Sequence, residues 1–113
     1  MIGIKLKKVK SMTTNAKIKK LIDDNEVILF MKGNPTFPQC GFSSVACQAL
    51  KAIGSAYETF DVLQDPDIRE GTKVFSNWPT IPQLYIRGEF IGGADIIREL
   101  YESGELAKTI SKE

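Results

Sequence analysis

The sequence predicts an α/β fold with a four-stranded mixed sheet flanked by about five helices. Amphipathic helical segments alternate with short apolar runs of strand length along the 113 residues. The run at residues 27–31 is apolar at every position, which is typical of a central strand covered on both faces. Near the end of the chain, Arg87 and Gly88 separate two strand-like segments and suit a two-residue hairpin turn.

The first elements are predicted from capping and turn signals. Thr14 or Asn15 is expected to cap a first helix, which precedes the strand within residues 26–31. A proline-rich loop follows, and a second helix is expected from about Cys40 until Gly54 ends it.

The later elements follow in the order strand, helix, strand, strand, helix, helix. Asp65 before Pro66 indicates a helix start, with a cap and then a proline at the first helical position. The expected elements are a strand at 57–62, a helix from Asp65 to about Ser76, strands at 82–86 and 89–91, a helix capped by Asp95 and a short helix after Gly104. Parallel strands joined by helical crossovers, plus one hairpin, make a mixed sheet.

Charge is distributed unevenly along the chain. Residues 1–20 hold seven lysines and no acidic residue, so a net charge of +1 leaves −6 for residues 21–113. A nucleic-acid or membrane-surface arm would explain the lysines, as would a mitochondrial presequence. We adopt the simpler interpretation of a flexible basic tail over residues 1–12 and one domain over residues 13–113, with no nucleic-acid or membrane partner.

The two cysteines and the absence of histidine restrict the chemistry. Two cysteines are too few for the set of disulfide bonds that stabilises a small secreted fold, and no signal-peptide pattern is seen. A reducing cytoplasm is therefore expected, with the mitochondrial matrix as the alternative in a eukaryote. Without histidine, Cys-His and Ser-His catalysis and histidine-based metal sites are excluded.

Cys40 is the candidate reactive residue. A thiol at the first turn of a helix lies against unpaired N–H groups and the positive end of the macrodipole, which favour the thiolate. Ser43 occupies the position where a dithiol redox protein carries its second cysteine. Cys47 lies seven residues further on, about 10.5 Å along a helix, so it cannot form a disulfide with Cys40 and is expected in the core.

Five further motifs follow one another along the chain: Met31-Lys32-Gly33, Cys40-Gly41-Phe42-Ser43, Asp67-Ile68-Arg69, Trp78-Pro79-Thr80-Ile81-Pro82-Gln83 and Gly92-Gly93-Ala94-Asp95. In their order and spacing, from about residue 13 to residue 111, the chain resembles monothiol glutaredoxins of the CGFS type. The resemblance implies a thioredoxin-like (glutaredoxin) fold, glutathione binding, and a role in carrying a 2Fe–2S cluster.

The resemblance also implies how glutathione would be held. Lys32 and Arg69 would face its glycyl carboxylate. The N–H groups of Ala94 and Asp95 would receive the γ-glutamyl carboxylate, while the Asp95 side chain pairs with the amine. Gly93 would let the backbone approach closely.

The middle of the implied site is the segment Thr80, Ile81 and Pro82. The bond before Pro82 would be cis, and the Ile81 backbone would pair with the cysteinyl part of glutathione as an added strand. Phe42 is also an implied glutathione contact, and its ring would lie either over the cluster or against the core.

A count of sulfur donors then predicts the assembly. A 2Fe–2S cluster takes four thiolates, and one chain offers one accessible cysteine. We therefore expect a homodimer that bridges one cluster through two copies of Cys40 and two glutathione thiols. The expected function is iron–sulfur cluster assembly or transfer and redox homeostasis, with BolA-type proteins and apo iron–sulfur proteins as partners. The alternative is a glutathione-dependent thiol-disulfide oxidoreductase acting through Cys40, which the resemblance implies to be weak.

Overall fold

A computed structural model describes the backbone of residues 2–112 and the side chains of residues 13–112. Its helices are α1 (Ile2–Asp24), α2 (Gly41–Ile53), α3 (Pro66–Ser76), α4 (Ala94–Ser103) and α5 (Glu105–Ser111), and its strands are β1 (Val27–Met31), β2 (Glu58–Asp61), β3 (Gln83–Ile86) and β4 (Glu89–Gly92). A short 3-10 turn at Val62–Gln64, which was not predicted, follows β2. The predicted fold class is confirmed.

The four strands form one mixed sheet in the order β2-β1-β3-β4. Strand β1 pairs in parallel with β2 and antiparallel with β3, and β3 pairs antiparallel with β4. Arg87 and Gly88, with φ of 48° and 83°, make the tight turn between the last two strands. All five residues of β1 are buried, as expected for a central strand.

Side chains of β1 alternate between two core layers, one on each face of the sheet. Leu29 and Met31 pack in the layer that also contains Leu50 of α2, Ile97 of α4 and Leu106 of α5. On the other face, the layer consists of Ile18 and Ile22 from α1, Ile28, Phe30, Val62, Ile68 from α3, Ile81 and Tyr85. Both faces are therefore covered, and the loops at the carboxyl end of β1 are left to carry the site.

Two predicted caps are wrong. Thr14 and Asn15 lie inside α1 and not at its start, because the segment before them is also helical, and its lysines and leucine are good helix formers. The cap of α4 is Gly93, and Asp95 is the second residue of that helix. The prediction of a flexible tail over residues 1–12 concerns side chains outside the described ones and stays a prediction.

Within the described residues, no helix combines the length and the apolar character that crossing a membrane requires.

Candidate functional site

Cys40 caps the amino end of α2. Its backbone is extended (φ −157°, ψ 144°), and its Sγ accepts a hydrogen bond from the N–H of Ser43 at 3.4 Å. This is the geometry of an N-cap side chain satisfying the third N–H of a helix. The predicted placement of the thiol at a helix start is therefore confirmed.

The loop between β1 and Cys40 is held by two side chains, those of Asn34 and Asp61, which accept its backbone N–H groups. The Asn34 side chain accepts the N–H groups of Thr36 and Phe37 at 3.0 and 2.9 Å. Gly33 has a φ of +85°, and a Cβ there would lie 2.5 Å from the Phe37 carbonyl oxygen, so only glycine fits. The Gly33 N–H donates to Asp61 at 2.9 Å, which ties the loop to the end of β2.

Ser43 is a site residue that the sequence did not single out beyond its not being a cysteine. Its side chain is fully buried, and its Oγ accepts the N–H of Lys32 at 3.1 Å. Because its own N–H donates to Cys40, Ser43 links the end of β1 to the thiol. The sequence feature that could have identified Ser43 is a small polar residue three positions after a helix cap.

The surroundings of Cys40 favour its thiolate. Partial burial acts to raise the pKa of the Cys40 thiol, but hydrogen bonds from the backbone and side chain of Ser43, the backbone of Phe42 and the charge of Lys32 outweigh it. The net result is a pKa below the ordinary value of 9.0. Cys40 is half-buried, so the thiolate can be reached from solvent.

A groove of about 240 Å³ begins at Phe42, two residues after Cys40 in the chain, and Cys40 itself is not among its lining residues. It is lined by Phe42, Trp78, Thr80, Ile81, Pro82, Gly93, Ala94, Asp95 and Ile96. The Ile81–Pro82 peptide bond is cis, as the resemblance implied. A Cβ on Gly93 would lie 3.2 Å from Trp78 Nε1 and 3.3 Å from the Pro82 carbonyl oxygen, so glycine keeps the groove open at this point.

Gln83 stabilises one wall of this groove. The sequence analysis named it within a motif but predicted no role for it. It is fully buried, and its Nε2 donates to the carbonyl oxygens of Trp78 and Thr80, both at 3.2 Å. Its Oε1 accepts the hydroxyl of Tyr85 at 3.1 Å. The amide therefore anchors the segment before Pro82 to β3. The sequence feature that could have identified this role is a glutamine within an otherwise apolar strand.

The structure brings most of the predicted glutathione contacts to one place. Seven of them line the groove: Phe42, Thr80, Ile81, Pro82, Gly93, Ala94 and Asp95. Cys40 and Lys32 are not among the residues that line it, and the charge of Lys32 is near enough to lower the pKa of the Cys40 thiol. Arg69 lies on α3, where its N–H donates to the Asp65 carbonyl, and it does not line the groove. The ligand roles themselves stay predictions.

Cys47 is in the core, as predicted. It is 5% exposed, and its thiol donates to Met31 Sδ at 3.3 Å. Burial raises the pKa of the Cys47 thiol, in contrast to that of Cys40. Among the described side chains, no three of the histidine, cysteine, aspartate and glutamate types gather into a group that could hold a metal ion.

Comparisons with known proteins agree with this arrangement. The sequence model of the glutaredoxin family matches residues 27–91. A monothiol glutaredoxin of Synechocystis sp. is 53% identical over 97 residues, which are 86% of this chain and 91% of that protein. Glutaredoxin 3 of Danio rerio is 51% identical over 98 residues, but the chain spans only 30% of its length. Reduced poplar apo GrxS14 has a TM-score of 0.75 and 46% identity, with 87% of this chain and 90% of that chain covered.

Proposed function

This chain belongs to the monothiol glutaredoxin family, and on that premise we propose that it binds glutathione beside Cys40 and carries a 2Fe–2S cluster as cargo between two copies of itself. The observation that supports the proposal most directly is the contrast between the two thiols. Cys40 is reachable and its pKa is lowered, whereas Cys47 is buried and its pKa is raised.

The donor count requires ligands from outside the chain. A 2Fe–2S cluster takes four thiolates. One chain supplies Cys40 and has no histidine to add, so even two chains supply only two donors. Two glutathione thiols, one in each groove, complete the set. Ligands borrowed from a small molecule exchange readily, and that suits a protein that must release its cargo.

The groove suits a short zwitterionic peptide. Its polar and charged side chains are few, namely Thr80 and, in the first turn of α4, Asp95, while Phe42, Trp78 and Ile81 supply apolar walls. The Ile81 backbone precedes β3 and is available to pair with an extended peptide. Lys32 adds a positive charge close to the thiol.

Anaerobic reconstitution with iron, sulfide and glutathione tests the proposal. We expect visible absorption, a dimer by gel filtration and about one iron per chain, all of which depend on glutathione. Cys40→Ser should abolish all three, whereas Cys47→Ala, the matched control, should keep them. A coloured Cys40→Ser protein, or a cluster that survives removal of glutathione by dialysis, would contradict the proposal.

The lowered pKa of Cys40 favours a second activity at the same site, which is removal of glutathione from mixed disulfides. The Cys40 thiolate would attack the glutathione sulfur, release the substrate as a thiolate and form a disulfide with glutathione. A second glutathione thiolate would then attack the glutathione sulfur of that disulfide, releasing glutathione disulfide and restoring the Cys40 thiolate. A coupled assay on a glutathionylated peptide measures this rate, which we expect to be low and absent in Cys40→Ser.

We also propose BolA-type proteins and apo iron–sulfur proteins as partners, in the cytoplasm or, in a eukaryote, the mitochondrial matrix. The partner surface would include the exposed side chains around the groove, Phe42 above all, which is 65% exposed. Transfer of the cluster from the loaded dimer to an apo-ferredoxin, followed by circular dichroism, tests the partner class. A loaded dimer that keeps its cluster in the presence of excess apo-protein would contradict it.

A further inference from the structure

The segment that forms one wall of the groove is fixed by two buried polar side chains of β3. Gln83 and Tyr85 are two residues apart in this strand, so both lie on the same face of the sheet. The Gln83 amide donates to the carbonyl oxygens of Trp78 and Thr80, both at 3.2 Å. Its Oε1 accepts the Tyr85 hydroxyl at 3.1 Å, so the nitrogen and the oxygen of the amide each have partners.

The hydrogen bond to Thr80 sets the direction of the next N–H group. The Thr80 carbonyl and the Ile81 N–H belong to one trans peptide unit, which is planar, so the two groups point in opposite directions. Because Gln83 holds the carbonyl, the Ile81 N–H is turned away from the Gln83 amide. This N–H is the donor that an extended peptide in the groove would need for strand-like pairing.

Tyr85 is held in place by aromatic packing. It is 2% exposed, and its ring contacts three others at centroid distances of 5.6, 6.4 and 5.4 Å, those of Phe30, Phe75 and Phe90. Burial raises the pKa of the Tyr85 hydroxyl more than a hydrogen bond from Ser76 lowers it. The hydroxyl therefore stays protonated at neutral pH and can donate to Gln83.

We propose that Tyr85 is a positioning residue for the bound tripeptide and that it acts through Gln83 on the Thr80–Ile81 peptide. The inference rests on the proposed function, because it takes glutathione to pair with the Ile81 backbone. Tyr85 does not line the groove, so its effect on the ligand is indirect. Without the tyrosine hydroxyl, Gln83 Oε1 would be buried with no donor, which favours a turned or shifted amide and a less well fixed Ile81 N–H.

Tyr85→Phe tests this role because it removes the hydroxyl and keeps the ring. Tyr57→Phe is the matched control, since the Tyr57 hydroxyl also hydrogen-bonds a core side chain, that of Cys47, and Tyr57 does not line the groove. Titration calorimetry measures the binding of S-methylglutathione, whose blocked sulfur cannot react with Cys40. Acrylamide quenching of Trp78, the only tryptophan in the chain, measures how well the groove wall is fixed.

Tyr85→Phe should weaken the binding of S-methylglutathione about three- to tenfold, the affinity equivalent of one net hydrogen bond, and should make Trp78 easier to quench. Tyr57→Phe should leave the affinity and the quenching unchanged, although it also loses a hydrogen bond in the core. Urea unfolding of both variants measures stability separately. A role for Tyr85 in stability alone would lower the free energy of unfolding and leave the affinity of the folded protein unchanged.

A double-mutant cycle with Gln83→Met tests whether Tyr85 acts through Gln83. Methionine is similar in length to glutamine but cannot donate to the Trp78 and Thr80 carbonyls, so this variant should lose at least as much affinity as Tyr85→Phe. Adding Tyr85→Phe to Gln83→Met should then cause no further loss. If Gln83→Met does not fold, the comparison of Tyr85→Phe with Tyr57→Phe still decides.

Two outcomes overturn the inference alone: Tyr85→Phe binds S-methylglutathione as tightly as the native protein does, or the losses from Tyr85→Phe and Gln83→Met multiply in the double variant. Failure of the native protein to bind S-methylglutathione would instead refute the proposed glutathione site, and with it the role of Tyr85 toward the ligand.

Discussion

Ser43→Ala should both destabilise the fold and raise the pKa of Cys40. In the native protein the buried Ser43 hydroxyl accepts the Lys32 N–H at 3.1 Å, and its side chain also hydrogen-bonds the thiolate of Cys40. Alanine removes both interactions but keeps the backbone N–H that donates to Cys40 Sγ at 3.4 Å.

The size of the stability loss follows from the Lys32 N–H, which loses the Ser43 hydroxyl as its hydrogen-bond acceptor. A partly buried N–H that loses its acceptor costs about 1–3 kcal/mol, and we expect about 1–2 kcal/mol here because the Lys32 side is only half-buried. Ser44→Ala is the matched control. The Ser44 hydroxyl accepts only an exposed Gln48 amide at 3.2 Å, so its loss should stay within about 0.5 kcal/mol.

Urea unfolding measures the free energy of unfolding, provided that its slope with urea concentration is the same in both proteins. The pH dependence of the Cys40 alkylation rate measures the pKa of the thiol. In the native protein the pKa of Cys40 lies below its ordinary value. Alkylation should therefore stay fast as the pH is lowered, and its rate should drop only when the pH falls below the pKa of Cys40 in the folded protein. In Ser43→Ala the inflection should move to higher pH. An unchanged inflection together with unchanged stability would refute the role assigned to Ser43.

Other predictions concern stability. Asp65 caps α3 by accepting two N–H groups, at 3.1 and 3.2 Å, so Asp65→Ala should cost about 1 kcal/mol at neutral pH. A hydrogen bond from Lys17 and others from the backbone hold the pKa of Asp65 below its ordinary 3.8, so this contribution should be lost as pH falls through the folded value, as urea unfolding at several pH values would show. Gly33→Ala should cost at least about 2 kcal/mol because left-handed strain adds to a Cβ 2.5 Å from the Phe37 carbonyl oxygen. Gly54→Ala, with a similar φ of +80° and open space around it, should cost only about 1 kcal/mol, and equal melting temperatures for the two variants would contradict the steric argument.

Much of the fold was predictable because its signals are local. The apolar run of β1, the Asp65-Pro66 helix start and the two-residue turn at Arg87 depend on near neighbours in the chain. The cap of α4 was not predicted correctly, because an aspartate near a helix start is compatible with several positions in the first turn. The backbone places Gly93 there, where a larger residue would press on the Trp78 ring.

The sequence by itself determined the family motifs, the order of the elements, and the presence of one reachable thiol at a helix start. Only the tertiary structure decided how Ser43 joins Lys32 to Cys40, and how Gln83, held by Tyr85, anchors the groove wall. The physical reason is that caps, turns and periodicity come from interactions within a few residues. The walls of the groove are instead set by contacts between segments far apart in the chain.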